Sequence, residues 1–205
     1  MGSDMSRTKF RSMTLCVLLP LLLALSACSK TVQWEEEVPL NTGDVIWVKR
    51  EVTYKFKGAG GNPLDMGYRP DWTEEIAFEW KGRTYRYVGD ADLMLLAISP
   101  NTQQPSLVAR ADLKNWDVKN SYRCSTPFYV QLVPDERGLG WSWPPSIEPW
   151  LYGLPYNLML HRAEMEKLRS RYNAKDRADA DYVMRYQSPS LTRIDPNFKF
   201  DQCKN

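Results

Sequence analysis

Between residues 74 and 88 apolar and polar side chains alternate with a period of two, and no other feature of this 205-residue chain constrains its fold as tightly. Ile76, Phe78 and Trp80 fall on one face of an extended segment, Lys81-Gly82-Arg83 can turn, and Tyr85 and Tyr87 or Val88 resume the pattern. Successive side chains of a strand point to opposite faces, so this spacing predicts a β-hairpin with one buried face. Residues 45–56 predict another strand, with Val52, Tyr54 and Phe56 on one side and Thr53, Lys55 and Lys57 on the other. The glycine-rich stretch from Gly58 through Gly60, Gly61 and Asn62 to Pro63 stops it. Residues 93–98 are continuously apolar between Asp92 and Pro100, which fits either a buried strand or a short helical stretch. Residues 107–109 and 128–133 are two further strand candidates.

After residue 134 the pattern changes. Pro134, Gly138, Gly140, Pro144, Pro145, Pro149, Gly153 and Pro155 break regular structure, yet Trp141, Trp143, Trp150, Tyr152 and Tyr156 sit among them. Residues 157–172 then lack Gly and Pro, and His161, Met165, Leu168 and Tyr172 share one stripe at helical spacing. Glu164 with Lys167 and Glu166 with Arg169 add pairs three residues apart. This predicts a helix over 157–172 and a second through about residue 186. Strands first and helices later predict an α+β fold: a small antiparallel sheet from the N-terminal half with one or two C-terminal helices packed on it.

The N-terminus carries an address. Arg7, Lys9 and Arg11 precede an apolar run over residues 13–25, which is shorter than the ~20 residues a permanent membrane helix needs and reads as a secretory leader. The run closes on Leu25-Ser26-Ala27-Cys28, which resembles the lipobox of bacterial prolipoproteins. The resemblance implies cleavage before Cys28, a diacylglyceryl thioether on its sulfur and an acylated amino terminus. It divides the chain into a leader over 1–27, the lipidated Cys28 with a tether over 28–42, and one globular domain over 43–205. Two acyl chains already anchor a protein stably. By likeness to enterobacterial lipoproteins, Ser29 in place of Asp implies the outer membrane, with the domain facing the periplasm. Within the tether, the triplet Glu35-Glu36-Glu37 reads as a solvated linker in preference to a metal or partner site.

Cys16 leaves with the leader and Cys28 is lipidated, which leaves Cys124 and Cys203. In an oxidising compartment these two invite a disulfide, worth about 4 kcal/mol on the chain-entropy account; two buried free thiols or one reactive thiol are the alternatives. The charge arithmetic changes with the leader. The chain's 27 basic and 25 acidic residues give +2, and Arg7, Lys9 and Arg11 against Asp4 account for all of it. The mature chain is charge-balanced, which excludes a strongly basic nucleic-acid binder.

Catalytic signals are sparse. His161 is the chain's one histidine and sits on the apolar stripe of the predicted helix, as a packing residue would. The Gly58–Gly61 stretch lacks the Gly-Lys-Ser/Thr ending of a phosphate loop. Asp176, Asp179 and Asp181 are not spaced as a calcium loop and read as a solvated helical face. Glu74-Glu75 and Asp135-Glu136 are paired carboxylates, but a glycan hydrolase needs two held ~5–10 Å apart across a cleft, which sequence cannot place. No metal site and no cofactor are expected.

The aromatic loop of Trp141, Trp143, Trp150, Tyr152 and Tyr156 either packs onto the sheet or offers a contact surface to a protein or a glycan. Beyond its leader, the chain bears a general likeness to small Gram-negative envelope accessory and immunity lipoproteins, with no site residue attached. The expectation is a non-enzymatic, outer-membrane-anchored periplasmic lipoprotein that binds a macromolecule, first a protein, alternatively peptidoglycan or another glycan through the Trp-rich loop.

Overall fold

The computed structural model describes residues 29–59, 62–89, 92–110, 127–135, 140–159, 169–176 and 192–199. Among these residues nine strands run in chain order: β1 (Ser29–Pro39), β2 (Val45–Ala59), β3 (Asn62–Trp80), β4 (Arg83–Gly89), β5 (Asp92–Ile98), β6 (Pro105–Arg110), β7 (Tyr129–Pro134), β8 (Trp141–Ser142) and β9 (Arg171–Tyr172). They make two sheets, ordered β4-β3-β2-β1-β9 and β5-β6-β7-β8. Residues 29–31, 53–59 and 62–71 form one compact unit; the other described residues form a second, which holds both hydrophobic cores.

The expected hairpin is β3–β4. Ile76 stands opposite Tyr87, Phe78 opposite Tyr85 and Trp80 opposite Arg83. Its two-residue loop places Lys81 at φ 50° and Gly82 at φ 75°, the two left-handed residues of a type I′ turn, whose twist matches that of the strands it joins. β1 and β2 are neighbours joined by only residues 40–44, a connection too short for a parallel crossover, so they run antiparallel. β9 closes the far edge, pairing parallel with β1 through Glu35 opposite Arg171 and Glu36 opposite Tyr172.

One core lies between the sheets. Val38, Val48, Ile76, Phe78 and Tyr85 of the first meet Leu93, Leu96, Ile98, Leu107, Val130 and Leu132 of the second. Full burial of each such side chain stabilises by about 1.5–3 kcal/mol. A second core covers the opposite face of the second sheet, where Met94, Leu95, Ala97, Val108 and Tyr129 pack under Ile147, Leu151, Tyr156 and Ile194. Burial on both faces explains why residues 93–98 carry no alternation, and it resolves their ambiguity in favour of a strand. A bulge between Leu93 and Leu95 turns Met94 and Leu95 to the same core.

The α+β expectation is overturned: the described residues are mostly strand, in two sheets, and the one helix among them that packs on a sheet is the three-residue 3-10 turn Pro149–Leu151. The second sheet's outer face is covered by the irregular Pro- and Trp-rich segment and the tail, which do the covering expected of helices. Of the helix predicted over 157–172, Asn157 lies in no helix and bonds to β5 through its side chain, and Arg171 and Tyr172 are β9. His161, Met165 and Leu168 lie outside the described residues, as does most of the second predicted helix. Residues 29–39, within the expected tether, are β1, a strand that lies between β2 and β9.

Asparagine amides finish the edge of β5 that, among the described residues, no neighbouring strand pairs. Leu96 donates its N–H to Asn157 Oδ1 at 2.8 Å, and Asn157 Nδ2 donates to the Leu96 carbonyl at 2.7 Å and to Pro39 O at 2.8 Å. Asn41 does the same at Ile98, accepting its N–H at 2.7 Å and donating to its carbonyl at 2.9 Å. A side-chain amide carries the donor and acceptor of a peptide group, so each asparagine pairs the edge as a neighbouring strand residue would.

Candidate binding face of the five-stranded sheet

Period two assigns the faces of β1, β2 and β3. Trp34, Glu36 and Val38, then Val48, Arg50 and Val52, then Glu74, Ile76 and Phe78 point inward and are buried. Three of those side chains are charged, and they lie on adjacent strands. Arg50 Nη1 donates to Glu36 Oε1 at 2.6 Å, and Arg50 Nη2 pairs with Glu74 Oε1. The Met159 N–H donates to Glu36 Oε2 at 3.0 Å, and the Arg50 guanidinium lies 5.4 Å from the centroid of the Trp34 ring. A buried ion group tolerates its desolvation best when its charges face one another and its oxygens are hydrogen-bonded; here Arg50 faces both carboxylates, and both Glu36 oxygens accept hydrogen bonds. The triplet Glu35-Glu36-Glu37 is therefore no solvated linker at its centre.

The opposite parity builds the outer face. Arg86 stands opposite Ala77 and forks diagonally onto Glu75, with Nε 2.6 Å from Oε1 and Nη2 2.7 Å from Oε2. Hydrogen bonding to Arg86 holds the Glu75 carboxyl below the usual carboxylate range, against a smaller opposing effect of burial. Gln33 Nε2 donates to Glu51 Oε2 at 2.6 Å. Arg171 stacks over the Trp47 ring with its guanidinium 3.8 Å from the centroid, and its Nε lies 3.6 Å from Glu35 Oε2. Trp47 stays 37 % exposed.

Two hollows open on this face. One, of about 380 Å³, is lined by Gln33, Glu35, Lys49, Glu51, Glu75, Ala77 and Ser170 among others. The other, of about 510 Å³, is lined by Trp47, Lys49, Ala77, Glu79 and Thr84 with Ile46 and Phe78. They share Lys49 and Ala77 and so adjoin each other in a depression that spans β1 to β4. Ala77 lies on the floor where they meet, a methyl group among longer side chains.

The aromatic loop goes elsewhere. Trp141 packs on Tyr85 and edge-on against Tyr87, and its Nε1 donates to the Arg86 carbonyl at 2.7 Å. Trp150 donates to Glu148 Oε2 at 2.9 Å, and Trp150 and Tyr152 pack against the second core. Tyr156 is buried with its hydroxyl 2.9 Å from that of Tyr129; burial first, and that hydrogen bond second, raise its pKa well above the ordinary tyrosine value. Trp143 alone of the five is exposed, at 44 %. The five do not converge on one surface.

Glu74 and Glu75 point to opposite faces, so they are not a catalytic pair. Asp135 is exposed, its N–H donating to Gly140 O at 2.9 Å, while Glu136 lies outside the described residues. Asp176 sits in a single helical turn, 3.8 Å from Arg169 Nη1; Asp179 and Asp181 lie outside the described residues, as do Cys28, Cys124 and Cys203. Among the described residues, no group of three or more His, Cys, Asp or Glu side chains could hold a metal, and no helix is long and apolar enough to cross a membrane.

Sequence reasoning missed Glu36, Arg50 and Trp47. The first two had a signal: each is charged on the apolar parity of a strand, between Trp34 and Val38 and between Val48 and Val52. Trp47 shares the polar parity with Lys49 and Glu51, which marks an exposed aromatic. Arg171 had none, because its place on Trp47 depends on the β1–β9 pairing. No protein-family model, curated protein or solved structure matches the chain.

Proposed function

We propose that the protein is an envelope lipoprotein, anchored through lipid on Cys28, that acts by holding a macromolecular partner on the outer face of its five-stranded sheet and performs no chemistry of its own. One observation carries this reading: Arg171 stacked on the part-exposed Trp47 at the margin of the depression. Trp and Arg dominate binding energy in interfaces because they combine large apolar area with directional hydrogen bonding. Here both are already held, as is Arg86 by Glu75, so little side-chain freedom remains to be lost on association.

The buried Glu36–Arg50–Glu74 group supports that face from behind, fixing β1, β2 and β3 to one another. The Trp-rich loop, for which the sequence left packing and a contact surface both open, contributes Trp141, Trp150 and Tyr156 to packing.

A photo-crosslinking amino acid at Glu51, on the outer face, should capture a partner, protein or polysaccharide, in living cells of the source organism. The same probe at Asn101, in the β5–β6 turn, should not. Equal, diffuse labelling at both positions, or none at Glu51, overturns the proposal.

A further inference from the structure

The hollow beside Trp47 presents polar groups that the protein does not use itself. Among the described residues, the side chains of Lys49, Glu79 and Thr84 make no hydrogen bond or ion pair, and all three line it. Arg86, directly opposite the Ala77 floor, is drawn into its fork with Glu75 and leaves the space open. Trp47 forms the wall. In the order β4-β3-β2-β1-β9, Arg171 reaches Trp47 from the β9 side, whereas Ala77, Glu79 and Thr84 lie on the β3–β4 side. The stacked arginine therefore steadies the indole without occupying the hollow.

The chemistry of this lining selects among ligands. One free ammonium and one free carboxylate sum to no charge, so neither an anion nor a cation is favoured. An indole wall next to an ammonium, a carboxylate and a hydroxyl suits a ring with an apolar C–H face and hydroxyls at its rim: the ammonium donates to those hydroxyls, the carboxylate accepts from them, and threonine does either. The volume, about 510 Å³, lies inside the ~300–1,000 Å³ of small-ligand clefts. The adjoining hollow shares Lys49 and Ala77 with it and reaches Gln33 and Glu51. From β4 to β1 this crosses three strand spacings, about 14 Å at ~4.8 Å each, which is longer than one sugar ring.

We infer that the Trp47 hollow binds a neutral pyranose ring within a polysaccharide, with further rings of the same strand lying over Lys49 toward β1. This rests on the reading that the outer face is the binding face, and it names the partner class for that face.

The test uses the full chain purified in detergent, titrated with linear tetrasaccharides of N-acetylglucosamine, of β-1,4-linked glucose and of α-1,4-linked glucose. The three arms distinguish a cell-wall-type amino-sugar strand from plain glucans. At least one should bind at millimolar concentration or below. Ala77→Leu, which fills the floor, should weaken that binding at least tenfold with an unchanged melting temperature, and Glu79→Gln, which keeps the shape, should weaken it several-fold. No binding by any tetrasaccharide, or binding indifferent to both substitutions, overturns the inference. A protein adduct from Glu51 without tetrasaccharide binding leaves the binding-face reading standing and rejects the polysaccharide.

Discussion

Arg50 reaches from β2 across to Glu36 on β1, Nη1 to Oε1 at 2.6 Å, in a place where neither side chain touches solvent. Charges so enclosed depend on each other. Arg50→Met should leave Glu36 and Glu74 buried without their cation and destabilise the fold by about 3–5 kcal/mol. Replacing all three together, as Glu36→Leu, Arg50→Met and Glu74→Leu, should cost less than the single change. Chemical denaturation of the parent, the single variant and the triple variant decides it: a single-variant loss under about 1 kcal/mol would show that water reaches the group.

Asn157 holds the edge of β5 with both ends of its amide. Asn157→Ala removes three hydrogen bonds, and Asn157→Asp sets a carboxylate against the carbonyls of Leu96 and Pro39. Each buried peptide group left unpaired costs about 1–3 kcal/mol, so both changes should destabilise by at least 2 kcal/mol or so. Amide exchange at Leu96 should quicken more than at Leu107 in the adjoining strand; equal protection in variant and parent would contradict the assigned role.

Glu75 gives a pH signature. Its carboxyl is held below the usual range in the folded protein, so the stability it contributes is complete above the ordinary carboxylate pKa and declines as pH falls through the lowered one. Arg86→Gln should move the Glu75 midpoint up in a carboxyl-detected NMR titration. Because Arg86 is largely exposed, the change in overall stability should be small and shrink further in high salt. A midpoint that does not move would mean the fork does not persist in solution.

The disulfide expected between Cys124 and Cys203 has neighbours inside the described residues. Phe128 donates its N–H to the Phe198 carbonyl at 2.9 Å, and their rings lie 6.3 Å apart. These positions are four residues after one cysteine and five before the other, and a chain spans at most ~3.3–3.6 Å per residue, so the pairing is within reach. Alkylation without reductant, read by mass spectrometry, should leave both thiols unlabelled in protein from an oxidising compartment. Two labelled thiols would reject the bridge.

Cys28→Ala should abolish incorporation of labelled palmitate and release the protein from the membrane fraction. Retained palmitate would exclude Cys28 as the lipidated residue.

The legible parts of this fold are those where each residue's neighbours in sequence are also its constraints. The β3–β4 hairpin could be read because alternation runs unbroken to Trp80 and Lys81-Gly82 can adopt the left-handed turn. Residues 93–98 could not be assigned by period, because two cores erase the contrast between faces. The stripe from His161 to Tyr172 suggested a helix, yet its last member is buried in β9, where pairing with β1 overrides spacing. Glu35-Glu36-Glu37 looked like a solvated run because three like charges in a row carry no sign of the arginine waiting on the next strand.

By itself the sequence determined which side chains share a face, since alternation is a local property of an extended backbone. It thereby determined that Ile76, Phe78 and Trp80 turn to a core and that Glu75, Ala77 and Glu79 turn away from it. Only the tertiary structure decided what each face meets. It set Arg50 between two glutamates, laid Arg171 on Trp47 and turned the Trp-rich loop into a cover for the second sheet. The physical reason is that strand pairing joins segments far apart in the chain, and neither burial nor charge pairing exists until they are joined.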